Sequence, residues 1–195
     1  MPEPVLITSR TFNLPFDNVD TDQIYPGRYL TTTQRKGLGD LCFFDWRNDP
    51  ASGKTELFRH FDPQAQSILV SGDNFGCGSS REHAAWALLD MGIQVVISSK
   101  FPDIFKSNAE KNGLLLVAVK SAVLDFLHCH DRHFVTINVT DRSLDVPGLG
   151  TVHFPLDEFT AYCLLNGIDA LGYLLEREAS IAKFEKSRDD RVLAE

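Results

Sequence analysis

The fold is decided by residues 67–119, which read SILVSGDNFGCGSSREHAAWALLDMGIQVVISSKFPDIFKSNAEKNGLLLVAV. The stretch contains three short apolar runs typical of buried strands, separated by two segments rich in helix formers. The apolar runs are residues 68–70, 93–97 and 114–119, and the helical segments are 79–89 and 103–112. Because strands alternate with helices, the pattern predicts parallel strands joined by crossover helices, which is an α/β arrangement.

The flanking sequence adds a strand before this unit and a different pattern after it. Strands are predicted at 5–12, 135–139 and 151–154, and a turn at 145–148. The turn lies between the last two strands and therefore favours a hairpin. Residues 157–186 favour helix, and the Asn166-Gly167 pair predicts an interruption within it.

Two segments fall outside the regular pattern. Residues 30–66 carry several glycines and prolines without a sustained period, and such stretches are often binding loops or lids. We therefore expect a mobile substrate loop at about residues 28–66. The last twenty residues, 176–195, hold five basic and six acidic side chains. This balance predicts a solvated helix end or a frayed tail rather than a binding arm.

Composition and charge exclude several classes of protein. The chain has 195 residues, of which 43% are hydrophobic, and this is sufficient for one domain with a core. Its net charge of −8 argues against a nucleic-acid partner, and it has neither an export signal nor the run of about 20 apolar residues that a membrane helix needs. No two of the four cysteines form a C-x-x-C pair, so we expect reduced thiols and a cytoplasmic location. The cysteines are Cys42, Cys77, Cys129 and Cys163.

The segment 72–83 carries the candidate chemistry. It begins where a buried strand ends and leads into a helix, which is where open α/β sheets bind their ligands. Its glycines let backbone amides approach an anion closely, and the helix start adds free N–H groups. Arg81 adds a fork of donors suited to a carboxylate. Together these features predict an anion site that contains the hydroxyl of Ser79.

Several residues of this region allow other interpretations. Ser79-x-x-Glu82 also fits a capping box, and local spacing does not decide between a helix cap and catalysis. Cys77 could be a nucleophile with a lowered pKa, but no base is assigned to it, which favours a packed side chain. For His83, a buried side chain that orients the loop is favoured over a base. Residues 128–133 contain three histidines, but their spacing matches no standard zinc site.

Two motifs resemble those of a known family. Residues 76–84, Gly-Cys-Gly-Ser-Ser-Arg-Glu-His-Ala, resemble the signature of the aconitase swivel domain. Residues 17–26, Asp-Asn-Val-Asp-Thr-Asp-Gln-Ile-Tyr-Pro, resemble the opening motif of the isopropylmalate dehydratase small subunits. The resemblance implies one three-layer β/β/α swivel domain over residues 1–195, with a mainly parallel central sheet and C-terminal helices.

The resemblance also implies that the active site is divided between two chains. A [4Fe-4S] cluster, held by cysteines of a separate large subunit, would act as a Lewis acid on the substrate, and this chain would bind no metal. Ser79 corresponds to the serine whose alkoxide removes a carbon-bound proton. Asp22 corresponds to a residue that helps handle the leaving hydroxyl. The implied substrate contacts are Ser80, Arg81, Gly78, Thr21, Arg28, Tyr29 and Leu30.

The resemblance leaves the substrate open among small dicarboxylates and tricarboxylates. Tyr29 and Leu30 could line an apolar pocket for an isopropyl group, whereas Arg28 or Arg35 could meet a third carboxylate. Our first hypothesis is the interconversion of 2-isopropylmalate and 3-isopropylmalate in leucine biosynthesis. The alternatives are a related hydratase for citraconate, dimethylmaleate, maleate or homoaconitate, and a stand-alone anion-binding module without catalysis.

Overall fold

The computed structural model describes the backbone of residues 5–192 and the side chains of residues 5–186. Within this range the strands are β1 (Leu6–Leu14), β2 (Ile68–Ser71), β3 (Val95–Ser98), β4 (Leu115–Ala118), β5 (Phe134–Asn138), β6 (Ser143–Val146) and β7 (Gly150–His153). The helices are α1 (Thr21–Ile24), α2 (Phe44–Asn48), α3 (Thr55–Phe58), α4 (Glu82–Asp90), α5 (Asp103–Asn112), α6 (Ser121–Cys129), α7 (Glu158–Asn166), α8 (Ala170–Leu175) and α9 (Glu178–Val192). The predicted alternation of strands and helices from 68 to 119 is confirmed.

The seven strands form one sheet in the order β4-β3-β2-β1-β5-β6-β7. Strands β1 to β4 are parallel to their neighbours, whereas β5, β6 and β7 are added in antiparallel pairs. Strand β1 joins the two parts, because its residues 11–14 pair with β2 and its residues 6–10 pair with β5. One long strand therefore belongs to both the parallel and the antiparallel ladder.

Side chains of the parallel strands alternate between two buried clusters. Leu69, Val96 and Leu116 belong to a cluster that includes residues of α4, α5 and the segment 38–46. Their neighbours along β2, β3 and β4 belong to a second cluster, which also contains residues of β5, β6 and α6. Because strands from both parts of the sheet bound the second cluster, the antiparallel part curls over one face of the parallel part, and helices cover the other. This arrangement confirms the predicted α/β class with β/β/α layers.

The predicted hairpin between residues 135–139 and 151–154 is wrong. A further strand, β6, lies between the two and pairs with both β5 and β7. Leu144 and Val146 of β6 are buried, and the residues between and before them are polar. Two apolar positions in four residues are too short a pattern to distinguish from a turn, so only the packing against β5 reveals the strand.

The segment 28–66 is folded against the core rather than extended away from it. Leu38, Cys42, Phe43 and Trp46 are buried in the first cluster. Regular structure is limited to α2, α3 and 3₁₀ turns at Gly27–Tyr29, Gly39–Leu41 and Pro50–Ser52. Its mobility stays a prediction, because packing describes one arrangement of the segment and not its motion.

The C-terminal helices follow the predicted pattern. Helix α7 ends at Asn166, and Gly167 takes the left-handed conformation that closes it, so the predicted interruption is confirmed. Most of the charged tail at 176–195 lies in α9, while residues 193–195 lie outside the described residues. Among residues 5–192, no helix is long and apolar enough to cross a membrane.

His128, on α6, is a partly buried titratable side chain. Both ring nitrogens are shielded from solvent and make no regular hydrogen bond, and Oδ1 of neighbouring Asn13 is likewise unpaired among the described residues. Burial lowers the pKa of His128 from its ordinary value of 6.5, and a weak interaction with the backbone of Ser71 and the charge of Asp125 only partly oppose this shift. The fold therefore favours the neutral imidazole.

We expect the free energy of unfolding to fall as the pH drops from about 7 to about 5, because unfolded His128 gains a proton that the folded side chain resists. The loss begins as the pH passes below the unfolded pKa and grows towards lower pH. Urea unfolding at several pH values should show a shallower decline for His128→Gln than for the unchanged protein. His153→Gln, at an exposed position on β7, should leave the decline unchanged. Equal slopes for His128→Gln and the unchanged protein would exclude this role.

Candidate active site

The glycine loop, residues 72–81, connects the end of β2 with the start of α4 and passes very close to other parts of the chain. Gly76 and Gly78 both have positive φ angles, +80° and +92°. A Cβ at Gly76 would overlap the ring of Phe105, and a Cβ at Gly78 would overlap the carboxylate of Asp20. The loop can follow this path only with glycine at these two positions.

The first sequence motif, residues 17–26, lies along the glycine loop. The backbone N–H of Gly76 donates to the carbonyl of Val19 at 2.8 Å, and the N–H of Thr21 donates to the carbonyl of Cys77 at 2.8 Å. Asp20 and Cys77 form an isolated parallel bridge between these bonds. Two motifs that are far apart in the sequence are thus joined residue by residue, and the functional side chains of both lie at one place.

Ser79 lies at the exposed end of this junction. Its carbonyl accepts a hydrogen bond from Oγ1 of Thr21 at 3.0 Å, and its own Oγ lies 3.4 Å from the same oxygen. Thr21 is buried, with 1% of its surface exposed, so the backbone of Ser79 is hydrogen-bonded to a side chain inside the protein. Ser79 itself is exposed.

The capping interpretation of Ser79 is wrong. Helix α4 begins at Glu82, its N-cap position is Arg81, and no side chain caps it. The carboxylate of Glu82 accepts a hydrogen bond from Nδ2 of Asn112 at 2.8 Å instead of reaching back to the loop. A capping box is present elsewhere, between Asp20 and Gln23 at the start of α1. Ser79 therefore has no role as a helix cap.

Backbone N–H groups of the loop add to the polarity of this site. Among the described residues, the amides of Gly78, Ser79 and Ser80 have no acceptor. The carbonyl of Ser80 accepts from Nδ2 of Asn108 at 3.4 Å, which ties this part of the loop to α5. Unpaired amides of this kind are donors that an oxyanion or a carboxylate could accept.

Asp22 and Arg81 form an ion pair between the two motifs. Oδ1 of Asp22 accepts the N–H of Gly27 at 2.6 Å and also contacts Nη1 of Arg81. The hydrogen bond from Gly27, followed by the contact with Arg81, lowers the pKa of Asp22, so the carboxylate is ionised at neutral pH. The Arg81 side chain is 22% exposed and that of Asp22 is 56% exposed. Within the described residues, Nε and Nη2 of Arg81 have no acceptor, which leaves donors for a substrate carboxylate.

Residues 28–30 border the same site through Gly27. The guanidinium of Arg28 contacts the carboxylate of Asp45 and lies 4.7 Å from the ring centroid of Tyr29. The carbonyl of Tyr29 accepts the hydroxyl of Tyr25 at 3.1 Å, which fixes the turn. Leu30 is partly exposed beside them. The structure thus brings Thr21 into contact with Ser79 and Asp22 into contact with Arg81, with Gly78 and Ser80 beside Ser79 and residues 28–30 following Gly27 in the chain. The individual roles of these nine residues remain predictions.

His83 and Cys77 support the site without entering it. Nε2 of His83 lies 2.8 Å from the carbonyl oxygen of Thr32, and its ring stacks on Tyr25 with centroids 5.7 Å apart. This contact anchors the segment after Leu30 to α4. The role predicted from the sequence, a buried His83 that orients the glycine loop, stays a prediction, because the ring is only partly buried and binds this other segment. Burial, followed by the charge of Asp20, raises the pKa of the Cys77 thiol, which argues against an activated nucleophile.

The sequence missed two residues that shape the site. Asp45 is the partner of Arg28, and it lies in a segment whose lack of a regular period hides which side chains face the site. Asn108 reaches the loop from α5, where it occupies an ordinary helical position. Neither has a sequence signal, because both contacts depend on how separate elements pack together.

Metal ligation by the chain's own residues has no support in the geometry. Among the described residues, no group of three or more His, Cys, Asp and Glu side chains converges on one point. His130 and His133 are hydrogen-bonded to the carbonyls of Phe126 and Pro147. The four cysteines are free, and Cys42 and Cys163 are buried. The residues present do not fit an iron–sulfur cluster.

Comparison with known proteins defines the class first. Residues 7–122, more than half of the chain, match the family described as Aconitase C-terminal domain. The chain belongs to this family, as the resemblance of residues 76–84 predicted.

Individual relatives then define the branch of that family. The 3-isopropylmalate dehydratase small subunit of Anaeromyxobacter sp. (strain K) is 50% identical over 95% of this chain and 99% of its own. The corresponding subunit of Roseiflexus sp. (strain RS-1) is 45% identical over 96% of this chain and 95% of its own. The crystal structure of 3-isopropylmalate dehydratase from Methanocaldococcus jannaschii is similar, with a TM-score of 0.69, 28% identity, and coverage of 92% of this chain and 99% of that one. Within the aconitase family, the chain belongs to the 3-isopropylmalate dehydratase small subunits.

The close approach at Gly78 predicts a specific cost of substitution. Gly78→Ala should lower the free energy of unfolding by about 1–3 kcal/mol beyond the cost of its φ angle, because the added Cβ displaces Asp20. Gly37→Ala is the matched control, since Gly37 has a φ of +82° and no atom near its added Cβ. Its cost should be about 1 kcal/mol, from the backbone conformation alone. Urea unfolding measures both, and equal losses would contradict the proposed overlap.

Proposed function

We propose that this chain is the small subunit of a hydro-lyase that interconverts 2-isopropylmalate and 3-isopropylmalate by loss and return of water, in leucine biosynthesis. The observation that carries the proposal is the position of Ser79, an exposed residue whose carbonyl is bound by Thr21, within a run of unpaired loop amides and two residues before Arg81 of the Asp22–Arg81 pair. The names of the relatives from Anaeromyxobacter and Roseiflexus support the same activity. They favour it over a stand-alone anion-binding module.

In this proposal Ser79 is the base that removes the carbon-bound proton. A serine hydroxyl is a weak acid, so its alkoxide needs donors that stabilise the negative charge. The candidates on this chain are the unpaired amides of the loop, at Gly78, Ser79 and Ser80, because the hydroxyl of Thr21 donates its proton to the carbonyl of Ser79. Arg81, oriented by Asp22, offers its remaining N–H groups to a substrate carboxylate.

Asp22 has a second role in the proposal. Its lowered pKa keeps it ionised, so it accepts a hydrogen bond rather than donating a proton. A carboxylate beside the reacting centre can accept a hydrogen bond from the substrate hydroxyl or from the water that it becomes. Thr21, Ser80, Arg28, Tyr29 and Leu30 complete the substrate contacts on this chain.

The other half of the site belongs to a large subunit in this proposal. We place a [4Fe-4S] cluster there, where an open iron would supply a Lewis acid for the substrate hydroxyl and carboxylate. The designation "small subunit" of the relatives supports such a partner. The substrate is a small dicarboxylate, and we propose a cytoplasmic location without nucleic-acid partners. The net charge of −8 supports the last point.

The direct test is an anaerobic assay of the chain mixed with the cluster-loaded large subunit. We expect the alkene intermediate to absorb in the ultraviolet when 3-isopropylmalate is added, and we expect activity only when both chains are present. The same assay with citramalate, malate and homocitrate measures selectivity. A formed complex with an intact cluster that leaves isopropylmalate unchanged would reject the proposal.

Ser79→Ala should lower kcat by at least about a hundredfold, because the group that accepts the proton is removed. Far-ultraviolet circular dichroism and binding to the large subunit should be unchanged, since the hydroxyl is exposed. Ser121→Ala, an exposed serine at the start of α6, serves as the control and should retain full activity. Near-normal turnover by Ser79→Ala would show that another group is the base.

Arg81→Lys should raise KM about tenfold or more, because a point charge replaces a fork that holds Asp22 and a substrate carboxylate together. Arg59→Lys is the control, since Arg59 forms an exposed ion pair with Glu56 away from the loop. Steady-state kinetics with the assembled complex separates KM from kcat. An unchanged KM would remove Arg81 from the substrate site.

A further inference from the structure

We propose that Asp45 determines substrate specificity: by occupying the guanidinium of Arg28, it makes the site favour an uncharged substituent and disfavour one that carries a third carboxylate. This inference rests on the proposed hydro-lyase function and names the class of substrate that the same site accepts. It concerns the residues around Arg28, where the sequence allowed either an apolar or an anionic substituent of the substrate.

The contact between Arg28 and Asp45 uses both terminal nitrogens of the guanidinium. Nη1 donates to Oδ2 of Asp45 at 3.1 Å, and Nη2 contacts Oδ1. This two-point geometry is the one by which arginine binds a free carboxylate. Asp45 therefore takes the position that a substrate carboxylate would need.

Aromatic rings lie close to the same guanidinium. The Arg28 Cζ atom lies 4.7 Å from the ring centroid of Tyr29 and 5.7 Å from that of Phe44. The two rings pack edge to face, with centroids 5.2 Å apart, so they form one apolar surface beside the ion pair. A substituent that enters here meets aromatic carbon and a charge that is already neutralised.

Arg28 lies next to the reacting groups rather than on a remote surface. It follows Gly27, whose N–H donates to Asp22, and its positive charge contributes to lowering the pKa of Asp22. The side chains of Arg28 and Asp45 are 51% and 49% exposed, so both are accessible to a ligand. The hydrogen bond from Gly27 to Asp22 fixes the start of this segment at Asp22, and in this proposal the variable substituent of the substrate lies beside the pair.

The alternative arginine lies in another place. The guanidinium of Arg35 lies over the ring of Trp86, 5.1 Å from its centroid, and it borders a cavity with Asp90 and Asn112 at the ends of α4 and α5, whereas the glycine loop lies at the start of α4. The charged groups around Asp22 include two guanidiniums, Arg28 and Arg81, and three carboxylates, Asp20, Asp22 and Asp45. Arg81 keeps Nε and Nη2 without an acceptor, whereas the Nη1–Nη2 edge of Arg28 is occupied by Asp45, so the described residues offer no second arginine edge of that kind for a tricarboxylate.

The test compares two substrates in the complex with the large subunit: 3-isopropylmalate and homoisocitrate, whose substituent carries the third carboxylate. Asp45→Asn frees the Arg28 fork and should shift the ratio of kcat/KM towards homoisocitrate by about tenfold or more. Asp40→Asn is the matched control, because it removes the same charge from the same segment at an exposed position without an ion pair among the described residues. Its ratio should not change.

Two further variants separate electrostatics from loosened packing. In Arg28→Gln/Asp45→Asn the gain should disappear, because the freed guanidinium is absent. Arg28→Gln alone leaves the Asp45 carboxylate unpaired and should shift selectivity further towards 3-isopropylmalate. Where turnover of homoisocitrate is slow, its inhibition constant against 3-isopropylmalate replaces kcat/KM. Because an inhibition constant does not depend on the concentration of active complex, it can also be measured if Asp45→Asn assembles poorly.

An unchanged ratio in Asp45→Asn, or a gain that persists in the double variant, would overturn the assignment of Asp45. Failure of the proposed function itself looks different: the unchanged complex would then not convert 3-isopropylmalate at all.

Discussion

The site depends on the pairing of the first motif with the glycine loop. Two backbone hydrogen bonds join the segments, from Gly76 to Val19 and from Thr21 to Cys77. They bring Thr21 into contact with Ser79, which lies 58 positions later in the sequence. This pairing requires close contact of two backbones, and Gly78 permits it because no side chain separates the loop from Asp20. The positions of the ion pair and of the exposed serine follow from that contact.

The segment 28–66 shows how a wall of the site is built without regular secondary structure. Phe43 has a left-handed backbone conformation, with φ at 51°, and is nevertheless completely buried. Its ring stacks on Trp46 at a centroid distance of 5.3 Å, and both pack in the cluster beneath α4. Packing of large aromatic rings therefore holds the segment in place, and it also sets the position of Asp45 on α2.

Most of the fold could be predicted because its signals are local. Each apolar run in 68–119 corresponds to a strand, and α5 coincides with the predicted helix at 103–112. The start of α4 was displaced from Ser79 to Glu82, since the loop hydrogen bonds to the first motif hold residues 79–81 in another conformation. Strand β6 and the partner of Arg28 were missed because each depends on contacts between distant elements. The glycine-loop motif predicted which side chains meet, but not the ion pairs that they form.

The pairing of β1 with both β2 and β5 has a consequence for folding during translation. The first half of this strand is synthesised long before its partner, because Thr136 lies 128 residues after Thr8. Until β5 emerges, residues 6–10 present an unsatisfied strand edge to the surroundings. While the residues between β1 and β5 are synthesised, this part of β1 stays without its partner, and an open strand edge of this kind favours association with other chains.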